Sequence, residues 1–161
     1  MSIRAPPPPT HPAVEQTDML EALDEHACLE YLHSASLGRV AFLTGDDIDI
    51  FPVNYACDGA IVVYRTAAGT RLERAPRDRV AFEVDGWDSR ELTGWSVVLK
   101  GIALDVTGGQ DPFSKALRER NVVPLAPGKR ERWIAIYPAV ITGRRFRSRQ
   151  ARSQDGEGFR P

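Results

Sequence analysis

The chain has 161 residues, 42% of them apolar and 27% charged, and a formal net charge of −1. That is one domain's worth of chain, able to hide roughly two-thirds of its unfolded surface, and a near-zero charge argues against a dedicated nucleic-acid binder. No apolar run approaches the ~20 residues of a membrane span, the start lacks a secretory apolar segment, and Cys28 and Cys57 are too few for a disulfide framework or a cysteine zinc site, so a soluble cytoplasmic protein is expected.

In chain order, the first stretch carries Pro6, Pro7, Pro8, Pro9 and Pro12, which block helix and ladder pairing and favour extended conformations. A disordered lead is expected over residues 1–18, a folded domain over 19–146 and a flexible Arg-rich tail over 147–161. Asp24 is a natural N-cap with Glu25 in the first turn. Leu23 and Cys28 then occupy the staple positions, Cys28, Leu32 and Ala35 form one helical stripe, and Gly38 is expected to end the helix.

From there strand patterns take over. Arg39–Thr44 is short and apolar, Gly45, Asp46 and Asp47 make a turn, and Asp49–Ala56 is the next strand. The Asp58-Gly59 pair predicts a hairpin into Ala60–Arg65. Thr70–Ala75 reads as a short helical piece closed by Pro76, followed by a strand over Arg79–Val84. Gly94–Val106 is the longest strand, with Gly101 where a barrel strand would bend or be closely approached. Asp111 with Pro112 starts a second helix, and Trp133–Phe146 is a last strand pair or one bent strand. Hairpin-linked strands with helices between only some of them predict a mainly β fold, a small antiparallel barrel with a few short helices.

Charge is unevenly spread. Between Val14 and Ile50 there are nine acidic residues against Arg39 alone, whereas six arginines follow Gly143 against Asp155 and Glu157. Two solvated surfaces that attract one another account for this, and so would an arginine-rich end that meets a phosphate or polyanion.

Common catalytic machinery is missing. There is no Walker loop and no Gly-x-Gly-x-x-Gly between strand and helix. The histidines, His11, His26 and His33, lack a third ligand nearby, and Asp46, Asp47 and Asp49 lack calcium-loop spacing and read as a solvated turn. One pattern remains. Arg65 and Thr66 end a strand, Gly69 makes a tight turn, and Thr70 and Arg71 open the next element. Two guanidiniums flanking a helix start with free N–H groups outline a phosphate pocket. The same residues would also suit a Thr70 cap with arginines facing water. Nearby, Pro52 within a strand implies an edge or a break in the ladder, where free backbone groups could address a ligand. Asn54 and Ser96 are polar among apolar neighbours, and Trp95 opens the long strand.

Five segments in order, Gly38–Phe42, Phe51–Tyr55, Arg65–Leu72, Val80–Asp85 and Gly94–Gly101, together with the closing Ile141–Phe146, resemble the pyridoxamine 5′-phosphate oxidase-like family of split-barrel flavoproteins, and in particular its small actinobacterial-type members. The resemblance runs from about Leu23 to Phe146. It implies a six-stranded antiparallel split barrel that binds FMN, usually as a homodimer with flavin at the interface. Carried over motif by motif, Arg65, Thr66, Thr70 and Arg71 would hold the FMN phosphate. Val53 and Asn54, beside Pro52, would line the isoalloxazine edge, and Trp95 and Ser96 would contact the flavin from the neighbouring strand or the other subunit. The founding members end in an Arg-Leu-His-Asp-Arg type segment that binds substrate; here Gly143–Arg147 has no histidine after it, so pyridoxal phosphate synthesis is not implied.

A flavin enzyme needs no conspicuous acid–base pair, because the cofactor carries the chemistry. The reading is thus an FMN-dependent oxidoreductase acting on a small molecule, with no catalytic residue assigned. The alternatives are a reductase using deazaflavin F420, a flavin- or ligand-binding module without turnover, and a cofactor-free barrel working through its Pro-rich and Arg-rich ends.

Overall fold

In the computed structural model, which describes residues 20–74, 79–124 and 127–147, the Asp24 side chain accepts a hydrogen bond from the Ala27 N–H at 2.8 Å and starts helix α1, Glu25–Ser34. Cys28 and Leu32 are its buried stripe, and Leu23 packs beside them. The helix stops at Ala35, whose backbone is already extended, and not at Gly38 as expected. Gly38 lies inside strand β2, Leu37–Thr44, with Leu20–Leu23 before α1 forming β1. A Cβ at position 38 would sit 2.3 Å from the Phe82 ring, so glycine is needed there for packing rather than for termination.

The remaining strands are β3 (Asp47–Asp58), β4 (Ile61–Thr66), β5 (Arg79–Asp88), β6 (Thr93–Asp105) and β7 (Arg132–Arg147), with helix α2 at Pro112–Arg118. Hairpins join β2 to β3 and β3 to β4, the second through the Asp58-Gly59 turn. The strand order is β1-β7-β4-β3-β2-β5-β6, and a further β6–β7 pairing closes the ring into a six-stranded antiparallel split barrel, with β1 added along the end of β7. One 16-residue strand, β7, serves three neighbours: β4 through Arg132–Ile136, β6 along most of its length and β1 through Gly143–Phe146. The β6–β7 register shifts at Lys100/Gly101. There the Tyr137 carbonyl oxygen comes within 2.1 Å of where a Cβ would stand, a close approach only glycine permits.

Side-chain alternation divides the core in two. Val40, Phe42, Val53, Tyr55, Val62, Tyr64, Phe82, Val84, Val97, Leu99, Ile134 and Ile136 fill the barrel, and Cys28 and Leu32 of α1 close one end. Val63 and Ala135 point the other way, beneath Val106, Leu117 and Val122. Strand β4 is therefore apolar at consecutive positions because both of its faces are covered. Each of these larger side chains contributes roughly 1.5–3 kcal/mol by leaving water. One ion pair joins the acidic and Arg-rich segments at the β1–β7 pairing, where Arg145 Nη2 lies 2.6 Å from Glu21 Oε2. The Pro-rich lead and all of the expected tail except Arg147 lie outside the described residues. Among those described, no helix is long and apolar enough to cross a membrane.

Candidate functional site

Strand β3 is twelve residues long, yet β4 pairs with only its last four, Tyr55–Asp58. Residues 47–54 pair with β2 on one side and with no described strand on the other. Pro52, which has no N–H to give a ladder, stands on this stretch. A cavity of about 320 Å³ opens here, lined by Pro52, Val53 and Asn54 of β3, Leu37 of β2, Arg65 of β4, Leu72, and Pro124 and Arg130 from the segment leading to β7. Its walls are mostly apolar. The two charged lining residues are both arginines, with no carboxylate among them.

Arg65 is held from two sides. Its Nε donates to the Arg130 carbonyl oxygen at 2.9 Å, and its guanidinium lies over the Trp133 ring, 4.9 Å from the centroid. That uses one of five N–H donors. The chain then turns through Gly69, whose φ of +76° is the left-handed region that glycine enters without a Cβ penalty. Thr66 is fully buried and its hydroxyl donates to Thr70 Oγ1 at 2.9 Å, while the Thr70 hydroxyl donates to the Ala67 carbonyl at 2.8 Å. Both ends of the turn, Arg65 and Leu72, line the cavity.

Two features differ from the sequence reading. The expected helix over Thr70–Ala75 is a four-residue 3₁₀ turn, Arg71–Arg74, with residues 75–78 outside the described set. The Gly69 N–H, expected to be free, donates to Glu73 Oε2 at 2.5 Å, and the other oxygen of Glu73 lies 2.7 Å from Arg132 Nε. Glu73 thus occupies the Gly69 N–H, and a four-residue 3₁₀ turn carries little helix dipole, so the anion-attracting character rests chiefly on the guanidiniums. The second difference is Asp49. Its side chain is 12% exposed; its Oδ2 accepts from the Thr44 hydroxyl at 2.8 Å and its Oδ1 lies 2.7 Å from Arg71 Nη1. It is an anchored partner of Arg71, not part of a solvated turn.

Of the nine residues singled out in the sequence, Pro52, Val53, Asn54 and Arg65 line the cavity, and Thr66, Thr70 and Arg71 belong to the adjoining turn. Asn54 Nδ2 donates to the Ser36 carbonyl at 3.2 Å. Trp95 and Ser96 do not line it. Trp95 stacks on Tyr31 of α1 at 4.4 Å between ring centroids, and Ser96, next along β6, alternates to the opposite face. The sequence reading passed over Leu37, Leu72, Pro124 and Arg130. Leu37 lies one step before the Gly38–Phe42 segment, and Leu72 closes the Arg65–Leu72 segment as an apolar residue with no polar group to mark it. Pro124 and Arg130 belong to an irregular stretch with no periodicity to interpret. The cysteines take no part: burial pushes the Cys57 thiol up to about 12, and burial with nearby Asp24 and Glu25 raises that of Cys28.

The family model for pyridoxamine 5′-phosphate oxidase matches residues 24–145, from the cap of α1 to two residues short of the end of β7. The chain belongs to this family. An uncharacterized protein of Mycobacterium tuberculosis is 33% identical over 130 residues, covering 77% of this chain and 84% of that one. A Corynebacterium glutamicum structure named for the same oxidase is 33% identical with a TM-score of 0.67, covering 80% of this chain and 94% of the other. The FAD binding protein of Mycobacterium smegmatis is 30% identical with a TM-score of 0.61, covering 80% and 99%.

Proposed function

We propose that this member of the family binds FMN in the cavity beside the open edge of β3 and passes electrons through it to a small molecule. The observation that carries the reading is the cavity itself: apolar walls, two arginines, no carboxylate lining, and an arginine-flanked turn at one side. Its volume of about 320 Å³ is at the lower end of ordinary ligand cavities. A flat apolar ring with an anionic end suits that lining. Arg65 and Arg71 would neutralise the phosphate, with Thr66 and Thr70 shaping the turn between them. Pro52, Val53 and Asn54 would border the ring. When bound, flavin supplies a reversible acceptor of hydride or single electrons; the chain supplies binding, orientation and a dry wall. That a relative at 30% identity is a FAD binding protein supports a flavin as the ligand class.

The working unit in this reading is a homodimer with flavin at the interface. The outer face of the β2–β3 hairpin supports it, since Leu43 and Ile48 stand opposite each other and Ile50 follows, all three exposed. Trp95 and Ser96, which do not line the cavity of their own chain, would approach flavin from the second subunit. Cys28 and Cys57 are both free thiols, which suits a reducing cytoplasm.

The test is spectroscopic. Protein reconstituted with FMN and freed of excess should keep an oxidised-flavin spectrum, bleach on addition of NADPH and recover in air. Retained colour without bleaching by NADPH or by reduced F420 would make it a carrier without turnover. Selective uptake of F420 would move the assignment to the deazaflavin, and failure to retain any of these would contradict the proposal.

A further inference from the structure

We propose that Asp49 is the positioning residue that presets Arg71 for the phosphate, an inference that rests on the FMN reading above. Along β3, Asp49 shares the alternation of Phe51, Val53 and Tyr55, the face that turns into the barrel core. A carboxylate at such a position needs partners, because an unpaired buried charge is costly. It has two. Thr44, across the β2–β3 hairpin, donates its hydroxyl to Oδ2 at 2.8 Å, and Arg71 approaches Oδ1 at 2.7 Å. The first bond fixes the carboxylate to the sheet, and the second fixes a long side chain from the turn to that carboxylate.

Arg71 needs such an anchor. Its side chain is 60% exposed, and an unrestrained arginine in water has rotamer freedom that an anion must overcome on binding. Arg65 faces no such difficulty, since Trp133 and the Arg130 carbonyl already hold it. One Nη1 donor committed to Asp49 leaves the remaining donors of a planar group in a set orientation. Asp49 thus acts through Arg71, not on the ligand. Its negative charge also opposes an anion nearby. The inference is that orientation outweighs this repulsion, and the two effects predict opposite signs for Asp49→Ala.

The experiment titrates FMN and riboflavin separately into wild type, Asp49→Ala, Asp49→Asn, Arg71→Ala and the Asp49→Ala/Arg71→Ala double variant, reading flavin fluorescence, with thermal unfolding of each apoprotein alongside. Asp49→Ala should weaken FMN about tenfold, the scale of one charge-assisted hydrogen bond, and leave riboflavin, which has no phosphate, unchanged. Asp49→Asn keeps an acceptor for Arg71 and should stay within about threefold of wild type. The double variant should bind FMN no more weakly than Arg71→Ala alone, the signature of one residue acting through the other. Equal or tighter FMN binding by Asp49→Ala would overturn the inference in favour of charge competition. Equal losses for FMN and riboflavin would overturn it in favour of a purely structural role. Wild type that binds no FMN would instead defeat the underlying cofactor reading.

Discussion

Two arginine–carboxylate pairs of nearly the same length sit in different regions of this molecule. Arg71 lies 2.7 Å from Asp49 beside the cavity, and Arg145 lies 2.6 Å from Glu21 where β1 joins β7. The arginines are similarly exposed, 60% and 55%, but the carboxylates are not: 12% for Asp49 and 61% for Glu21. Distance therefore says little about what a pair does. A carboxylate fixed to the sheet and shielded from water can hold a guanidinium in place, whereas one that moves with its own side chain gives a contact that water and salt largely replace.

The sharpest way to break this comparison is at the cavity. Arg65→Ala should weaken FMN about thirtyfold or more, as expected for a charge-assisted and desolvated contact, with riboflavin much less affected in parallel fluorescence titrations. A second contrast lies in the barrel core. Tyr55 OH donates to the Leu32 carbonyl at 2.6 Å, whereas Tyr64 OH is buried without a partner among the described residues. Tyr55→Phe leaves that carbonyl with only the weak Cys57 thiol contact at 3.9 Å and should cost about 1–2 kcal/mol in urea unfolding. Tyr64→Phe removes a hydroxyl that gains nothing from burial and should be neutral or stabilising by up to about 1 kcal/mol. A loss at Tyr64 as large as that at Tyr55 would mean that the hydroxyl has an unseen bound partner. The smallest effect belongs to the exposed pair: Arg145→Ala should leave both the unfolding midpoint and FMN affinity unchanged within error, and a clear FMN loss there would remove the distinction between the two regions.

Much of the fold was legible because its determinants are local. Asp24 caps α1, Asp58-Gly59 turns a hairpin, Asp111 caps α2 through Ser114, and Gly101 marks the register shift. Each is a short-range demand that the residue type announces. Strand β1 was not legible, since four residues from Leu20 to Leu23 become a strand only by pairing with Gly143–Phe146 at the other end of the domain.

The candidate site divides the same way. The Arg65–Arg71 turn stands out in sequence, but the expected helix shrinks to a four-residue 3₁₀ turn whose Gly69 N–H is taken by Glu73 reaching back. Asp49 could have been recognised: grouping it with Asp46 and Asp47 hides an alternation with Phe51, Val53 and Tyr55 that places it on the core face. Arg130 offered no such signal. Its place at the cavity depends on how the irregular segment before β7 packs against β4. Trp95 belongs to a motif that resembles the family's, yet its ring rests against Tyr31 and does not line the cavity of its own chain.

The most direct test of the central claim is the ratio of FMN to riboflavin affinity in the unaltered protein, measured by fluorescence titration at low and moderate salt. If the arginine-flanked turn receives the phosphate, FMN should bind about a hundredfold more tightly than riboflavin, the scale of two charge-assisted contacts, and the ratio should fall as salt is raised. Equal affinities at both salt concentrations would contradict the account.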